Sequence, residues 1–375
     1  MSGQDDLGYT MLHLAIQMGE SLQIINHDPL DLDKRQLSTE MVKSIQRTAW
    51  GLFQADTVVH TNFLRPSRVN SVAVDRIDRN ESGPDDTWSP YPVEMQARPS
   101  YLSQYFDESC HLSSLARDIS RHLYQSPVRS PRPRGRKDEL YATLRQWERK
   151  LPPEFDADRE PPPHILLLRM RYNSLLIGLA RDGFGVQSLL SGSDEQRQTM
   201  DETSRAISLT AAQAISALAR LHRRLYGMER AHQFATYAIV LGLFTMLDHP
   251  SFDILDPDFL SLTSGFSIIA SRSQVGRYLF HIFRQSVRSR HQDERILQSD
   301  QVSDEVKELF GRHPRSQVPD RWSDYAQGLE RYHSSFLGDS HDYAASDVRD
   351  MLEKYERLSL GREDSFEGRN DLPKP

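Results

Sequence analysis

The residue most out of place in this sequence is a carboxylate. In MVKSIQRTAWGLFQADTVVHTNFLRP, residues 41–66, the apolar positions Val42, Ile45, Ala49, Leu52, Val59 and Phe63 recur every three or four residues and line one helix face. Trp50 and Phe53 widen that face. Asp56 falls on the same stripe, between Leu52 and Val59. A carboxylate held against a core loses its hydration, so it either finds a cation and donors or takes up a proton. Arg65 and Arg68, just past the helix end, are the nearest cations, with Arg47 the alternative. A modest rotation of the helix would instead leave Asp56 at its solvated edge.

The other chemistry-bearing residues do not converge. Cys110 and His111 are adjacent, but neighbours in sequence point to different sides of a helix, which does not pair a nucleophile with its base. His27–Asp28, Asp248–His249 and His341–Asp342 lack metal-ligand spacing and suit turns and caps. Gly183-Phe184-Gly185 is a lone G-x-G, better read as a helix stop. No glycine-rich phosphate loop, paired-histidine zinc helix or nucleophile elbow occurs. No enzyme is expected, because no residue set speaks for one. One basic run, SPVRSPRPRGRK, gathers Arg129, Arg132, Arg134, Arg136 and Lys137. Such a run suits nuclear import or phosphate binding, and suits equally a solvated, proline-stiffened linker.

The elements that must position these residues are helices. The 375-residue chain is 38% hydrophobic and 26% charged, a balance suited to a soluble protein with a real core. With 46 basic against 53 acidic residues, its net charge of -7 gives no overall attraction to nucleic acid or to an anionic membrane. The single cysteine excludes an intrachain disulfide and a thiolate-rich zinc site. The longest apolar run, residues 234–247, is shorter than the ~20 residues a membrane-spanning helix needs, so it reads as a core helix.

In order, a first helix over 11–25 carries Met11, Leu14, Ala15, Met18, Leu22 and Ile25 on its expected inner face. The helix with Asp56 starts at Ser38 or Thr39 and ends at Pro66. Residues 70–100, rich in Pro, Asp, Ser and Asn, read as an irregular surface loop. Further helices are expected from Asp107 or Ser109 to Tyr124, over 138–151 and 165–180, from Asp201 to about Tyr226, near 231–248, and once or twice between Pro257 and Arg290. Strand signals are scarce, so the fold class is all-α, an irregular multi-helix array with long proline-rich surface loops. Beyond 290 the apolar content thins. A modest amphipathic helix fits 346–358, and the last fifteen residues, GREDSFEGRNDLPKP, read as a disordered tail.

Three stretches in this order resemble the middle regulatory region of fungal zinc-cluster transcription factors of the xylanolytic-activator type. Residues 8–25 look like the family's apolar helix and its Leu-Gly-Leu-His turn, here Leu22-Gln23-Ile24-Ile25 with the histidine displaced to His27. The second helix keeps Arg47, Trp50, Leu52, Phe53, Asp56, Arg65 and Pro66 of the family pattern, and departs from it at Gln46, Ala49, Thr57 and Leu64. Thr57 stands where the family has arginine, which makes Asp56 more dependent on Arg65 or Arg47. LRQWERKLPP at 144–153 and ILLLRMRYNSLLIGLARDGF after it are similar to the family's Trp-Leu-Pro and Tyr-Leu-Arg-Pro helices, with Asp182 in place of the proline.

The resemblance implies a helical regulatory domain over 8–290, with loops near 70–105 and 126–137, followed by a polar C-terminal region over 291–375. It implies a nuclear protein that controls transcription by RNA polymerase II, with a protein partner or self-association and a small-molecule effector as its contacts. The family's six-cysteine DNA-binding cluster cannot be built from one cysteine. No zinc cofactor and no direct DNA contact are therefore expected of this chain. An adaptor that pairs with a full-length factor is the alternative reading, and an all-α enzyme is only the third after these two. The helices that precede Gly8 in the family are missing here, which predicts an uncovered apolar flank.

Overall fold

A computed structural model describes residues 5–62, 66–81, 86–90, 96–124, 135–182, 194–232, 234–272 and 274–311. The fold is all-α. Among the described residues eleven α-helices accompany a two-strand ladder of two residues per strand, Thr87–Trp88 against Arg98–Pro99. The helices are α1 (Asp5–Ser21), α2 (Thr39–Asn62), α3 (Leu102–Tyr124), α4 (Arg136–Arg149), α5 (Pro163–Asp182), α6 (Asp194–Tyr226), α7 (Ala235–Leu247), α8 (Pro257–Ala270), α9 (Gln274–Ser289), α10 (Asp293–Gln298) and α11 (Asp304–Phe310).

Two apolar cores result. The larger one centres on α5, which packs most extensively on α6, and on α7. Helix α7 is buried nearly all round, as a run without polar interruption requires. Helix α8 begins with Pro257 at its first position, and Asp256 Oδ1 accepts from the amides of Asp258 (2.8 Å) and Phe259 (3.2 Å). Packing continues past Arg290, because Ile296, Val302, Val306 and Phe310 are buried in the same core. No described helix is long and apolar enough to cross a membrane.

The smaller core joins α1, α2 and the segment 66–74 through Ile16, Ile25, Ala49, Phe53, Val69 and Val74. Here one expectation is overturned. Met11, Leu14, Met18 and Leu22 are 54%, 47%, 66% and 60% exposed, while Leu12, Ile16 and Gly19 face inward. The close approach at Gly19 sets this rotation. A Cβ there would lie 2.9 Å from Leu52 Cδ2, so the Leu52 methyl packs directly on the bare Gly19 backbone and would have to shift for any larger residue.

Helix α1 then ends in a left-handed turn. Gln23 has φ +60°, Gln23 N bonds Glu20 O and Ile24 N bonds Gly19 O, the paired bonds of a glycine-type helix stop made without glycine. Several boundaries also move. Helix α3 starts at Leu102, with Ser100 Oγ accepting from its amide, and not at Asp107 or Ser109. Helix α6 starts at Asp194, seven residues before Asp201. The segment expected to be a surface loop is partly interior: Ala73 and Val74 are buried, and Trp88 meets Tyr226 edge to face.

Candidate functional site

Helix α2 carries most of the residues singled out by type and spacing. Ser38 Oγ accepts from Met41 N (3.2 Å) and starts the helix. Asp56 is fully buried, so the solvated-edge alternative is excluded. Of its expected cations, Arg47 is turned away and Arg68 contributes its backbone amide, while Arg65 lies outside the described residues. Asp56 Oδ2 accepts from the backbone amides of Arg68 (3.1 Å) and Val69 (3.0 Å), and Oδ1 lies 2.9 Å from His60 Nδ1 one turn later. Arg47 points outward to Glu81 (3.3 Å), alongside Lys43. Thr57 is buried with its hydroxyl bonded to Phe53 O (2.7 Å), a place with no room for an arginine. Asp56 therefore works as a clamp for the chain leaving α2, holding the start of 66–74 by main-chain donors. Those donors carry no sequence signature, so residue types alone did not point to them.

Around the clamp, Trp50 Nε1 donates to Val74 O (3.0 Å) and meets Phe53 edge to face at 5.6 Å. Arg76 lies over the Trp50 ring and Arg117 over the Phe53 ring. Leu52 packs on Gly19. Trp50, Leu52, Phe53 and Asp56 are thus one packing unit, with Pro66 half-buried beyond it and Arg47 outside it. Phe63 and Arg65 lie outside the described residues, as do Arg129, Arg132 and Arg134, Gly183–Gly185, and the stretch 346–358. Of the basic run, Arg136 and Lys137 open α4. Arg136 pairs with Glu139 and Asp118, and Lys137 Nζ donates to Ala180 O.

The third matched stretch also has structural roles. Trp147 lies 5.7 Å from Tyr172, whose hydroxyl donates to Glu148 (2.7 Å). Arg181 pairs with Asp248, which also takes Arg290. Burial pushes the Cys110 thiol up to about 12, and His111 is exposed beside Glu108, so the two make no nucleophile pair. His249 Nδ1 accepts from Ser251 N, a turn role. Among the described residues no group of three or more His, Cys, Asp or Glu is placed to hold a metal.

A cavity of about 480 Å³ opens where α2, α3, α5, the end of α6 and the start of α7 meet. Its walls are chiefly apolar, with Val58, Leu167, Leu175 and Phe234 among them. Its polar lining comes from Gln54, Thr61, Tyr105, Ser109, Arg171 and three histidines. Gln54 ties α2 to α3, accepting from Ser109 Oγ (2.7 Å) and donating to Cys110 Sγ (3.0 Å). Burial lowers His164 and His222 below the ordinary imidazole range. Sequence reasoning missed Arg171. Its signal was an arginine in an apolar helix whose neighbours at the same-face spacing are Leu167, Leu168 and Leu175.

No family model matches the chain, and no solved structure does. Among curated proteins, the chain is 28% identical over 250 residues to the nitrogen assimilation transcription factor nirA of Emericella nidulans, covering 63% of this chain and 27% of nirA. It is 24% identical over 270 residues to the notoamide biosynthesis transcriptional activator notL' of Aspergillus versicolor (69% and 43%). To the nitrogen assimilation transcription factor nit-4 of Neurospora crassa it is 25% identical over 239 residues (60% and 21%). The matched part thus spans less than half the length of each of these relatives, and over 60–69% of its own length the chain is similar to transcription factors of fungi.

Proposed function

We propose that this chain is a regulatory domain of a fungal transcription factor of the zinc-cluster type, acting in the nucleus through intramolecular or partner contacts and without catalysis. The observation that carries the reading is the similarity to three fungal transcriptional regulators over 60–69% of the chain. The contact-based mode is supported by the outward stripe of Met11, Leu14 and Met18 on α1 with Leu22 just past its end, since apolar positions in a row on one face mark interaction surfaces. The cavity between the two cores gives an effector a place to bias one helical arrangement over another. With one cysteine in 375 residues, this reading puts sequence-specific DNA contact outside the chain. The α1 stripe also supports a second reading, an adaptor that pairs with a full-length factor.

A reporter assay tests both. Fusing residues 1–375 between a heterologous DNA-binding domain and an activating segment should lower transcription severalfold. A folded fusion that leaves the reporter unchanged rejects the regulatory reading. Under the adaptor reading, the free chain lowers the output of a full-length factor in trans, and Met18→Glu with Leu22→Glu abolishes that effect.

A further inference from the structure

The cavity holds an imbalance that the fold itself does not explain. Its described lining contains Arg171, Arg230 and three histidines, and neither aspartate nor glutamate. Arg171 stands at mid-helix on α5 with its guanidinium between α5 and α3. Nη1 donates to Ser113 Oγ (3.0 Å), whose own hydroxyl proton goes to Ser109 O (2.7 Å). Nη2 is sealed from solvent and has no hydrogen-bond partner, and Thr61 Oγ1, also in the wall, has none. No Asp or Glu stands among the groups whose charge acts on Arg171, which are the Tyr105 phenol and the Cys110 thiol. Burial pulls the guanidinium down to about 10, still well above neutrality, so the charge persists.

A buried cation is costly unless it is paired, and several other half-buried arginines among the described residues are paired with acids. Arg76 takes Asp107, Arg181 takes Asp248 and Arg169 takes Asp156. No acid acts on Arg171, and a cavity adjoins it. The space is of the size that takes small organic molecules, and its walls are mostly aliphatic and aromatic.

We propose that this cavity binds a small organic carboxylate, its acid group on the Arg171 guanidinium with Thr61 beside it, and its apolar body against Leu167, Leu175 and Phe234. The exposed Arg230 and His232 stand at the rim, where they favour entry of an anion. A ligand seated there touches α2, α3, α5 and α7 together, and so fastens the smaller core to the larger. The site deepens the effector part of the proposed function and rests on that reading only for its consequence in transcription, because binding can be measured without it.

The test uses the purified full chain with octanoate and 3-phenylpropanoate as probes and their primary amides as controls, by calorimetry and thermal shift. The carboxylates should bind saturably and raise the melting temperature, and the amides should bind at least about tenfold more weakly, the loss of one charge-assisted pairing. Arg171→Met should keep the fold, with a melting temperature no lower than the parent's, and should erase the preference for acid over amide. Arg171→Lys, which keeps the charge and loses the fork, should retain part of that preference and serves if the methionine variant does not fold. No saturable binding by either acid, equal binding of acid and amide, or an Arg171→Met protein that still prefers the acid would each overturn the site. Binding without any effect in the reporter assay would leave the site standing and remove the regulatory reading.

Discussion

The two cores are built by opposite means. The larger one is held by ring packing: Phe283 meets Phe244, Phe259, Phe266, Phe280 and Phe310 at centroid distances of 5.8–6.3 Å. The smaller one has few buried side chains and relies on directed bonds. Asp56 holds the amides at 68 and 69, Trp50 holds Val74 O, and Asn26 N bonds Ser71 O while Ala73 N bonds Ile24 O. The lesson is that α1, α2 and 66–74 form a unit whose geometry is fixed by a handful of polar contacts and whose outer face, the α1 stripe, is left apolar. Local stability follows buried contact density, so this half should open first.

Several changes would break or sharpen that contrast. The largest effect is expected at Phe283→Ala, about 3–5 kcal/mol from the vacated core, read as a drop in the denaturant midpoint for the whole molecule. Asp56→Ala should cost about 1–3 kcal/mol through the buried Val69 amide left without an acceptor. Its signature is local: hydrogen exchange should quicken in α2 and 66–74 before α5 to α9 respond. A uniform loss of protection would erase the distinction between the cores. Gln23→Gly acts in the other direction, relieving a left-handed residue by about 1 kcal/mol, and should slow exchange around the end of α1.

A gentler effect concerns pH. His164 and His222 titrate below 6.5 in the folded chain, so the unfolded chain takes up protons that the folded one refuses. Stability is full above pH 6.5 and falls as the pH drops below it toward the depressed folded values. His164→Gln with His222→Gln should flatten that slope in pH-dependent melting. The smallest effect belongs to Arg47→Ala, within about 0–1 kcal/mol, because the Glu81 pair is largely solvated.

How much could be read beforehand differs between these regions for a physical reason. In the larger core the helices were legible, since α5 and α7 announce themselves by apolar runs whose burial follows from composition alone. Asp56 was legible as an anomaly, because a charge on an apolar stripe shows in one dimension. Its partners were not. Main-chain amides of Arg68 and Val69 look the same in every sequence, and they reach Asp56 only after the chain has turned beyond α2. His60, one turn along the same face, was the available clue.

The first helix gives the sharpest case. Its periodicity was right and its rotation wrong, because Met11, Leu14, Met18 and Leu22 form the more hydrophobic face while Gly19 alone permits contact with Leu52. Hydrophobicity ranks faces, but steric fit chooses between them. Arg171 shows the same limit, since whether a mid-helix arginine meets a carboxylate or a cavity depends on what α3 and α7 bring beside it.

By itself the sequence determined that this chain is helical, where most helices lie and which carboxylate stands on an apolar stripe, because periodicity and composition are local. Its motifs, read separately, carried the resemblance to fungal gene regulators. Only the tertiary structure decided which face of α1 is left outward, which backbone donors satisfy Asp56, and that Arg171 ends beside a cavity without a counter-charge. Each of these depends on contacts between segments tens of residues apart, and no local pattern encodes the distance between them.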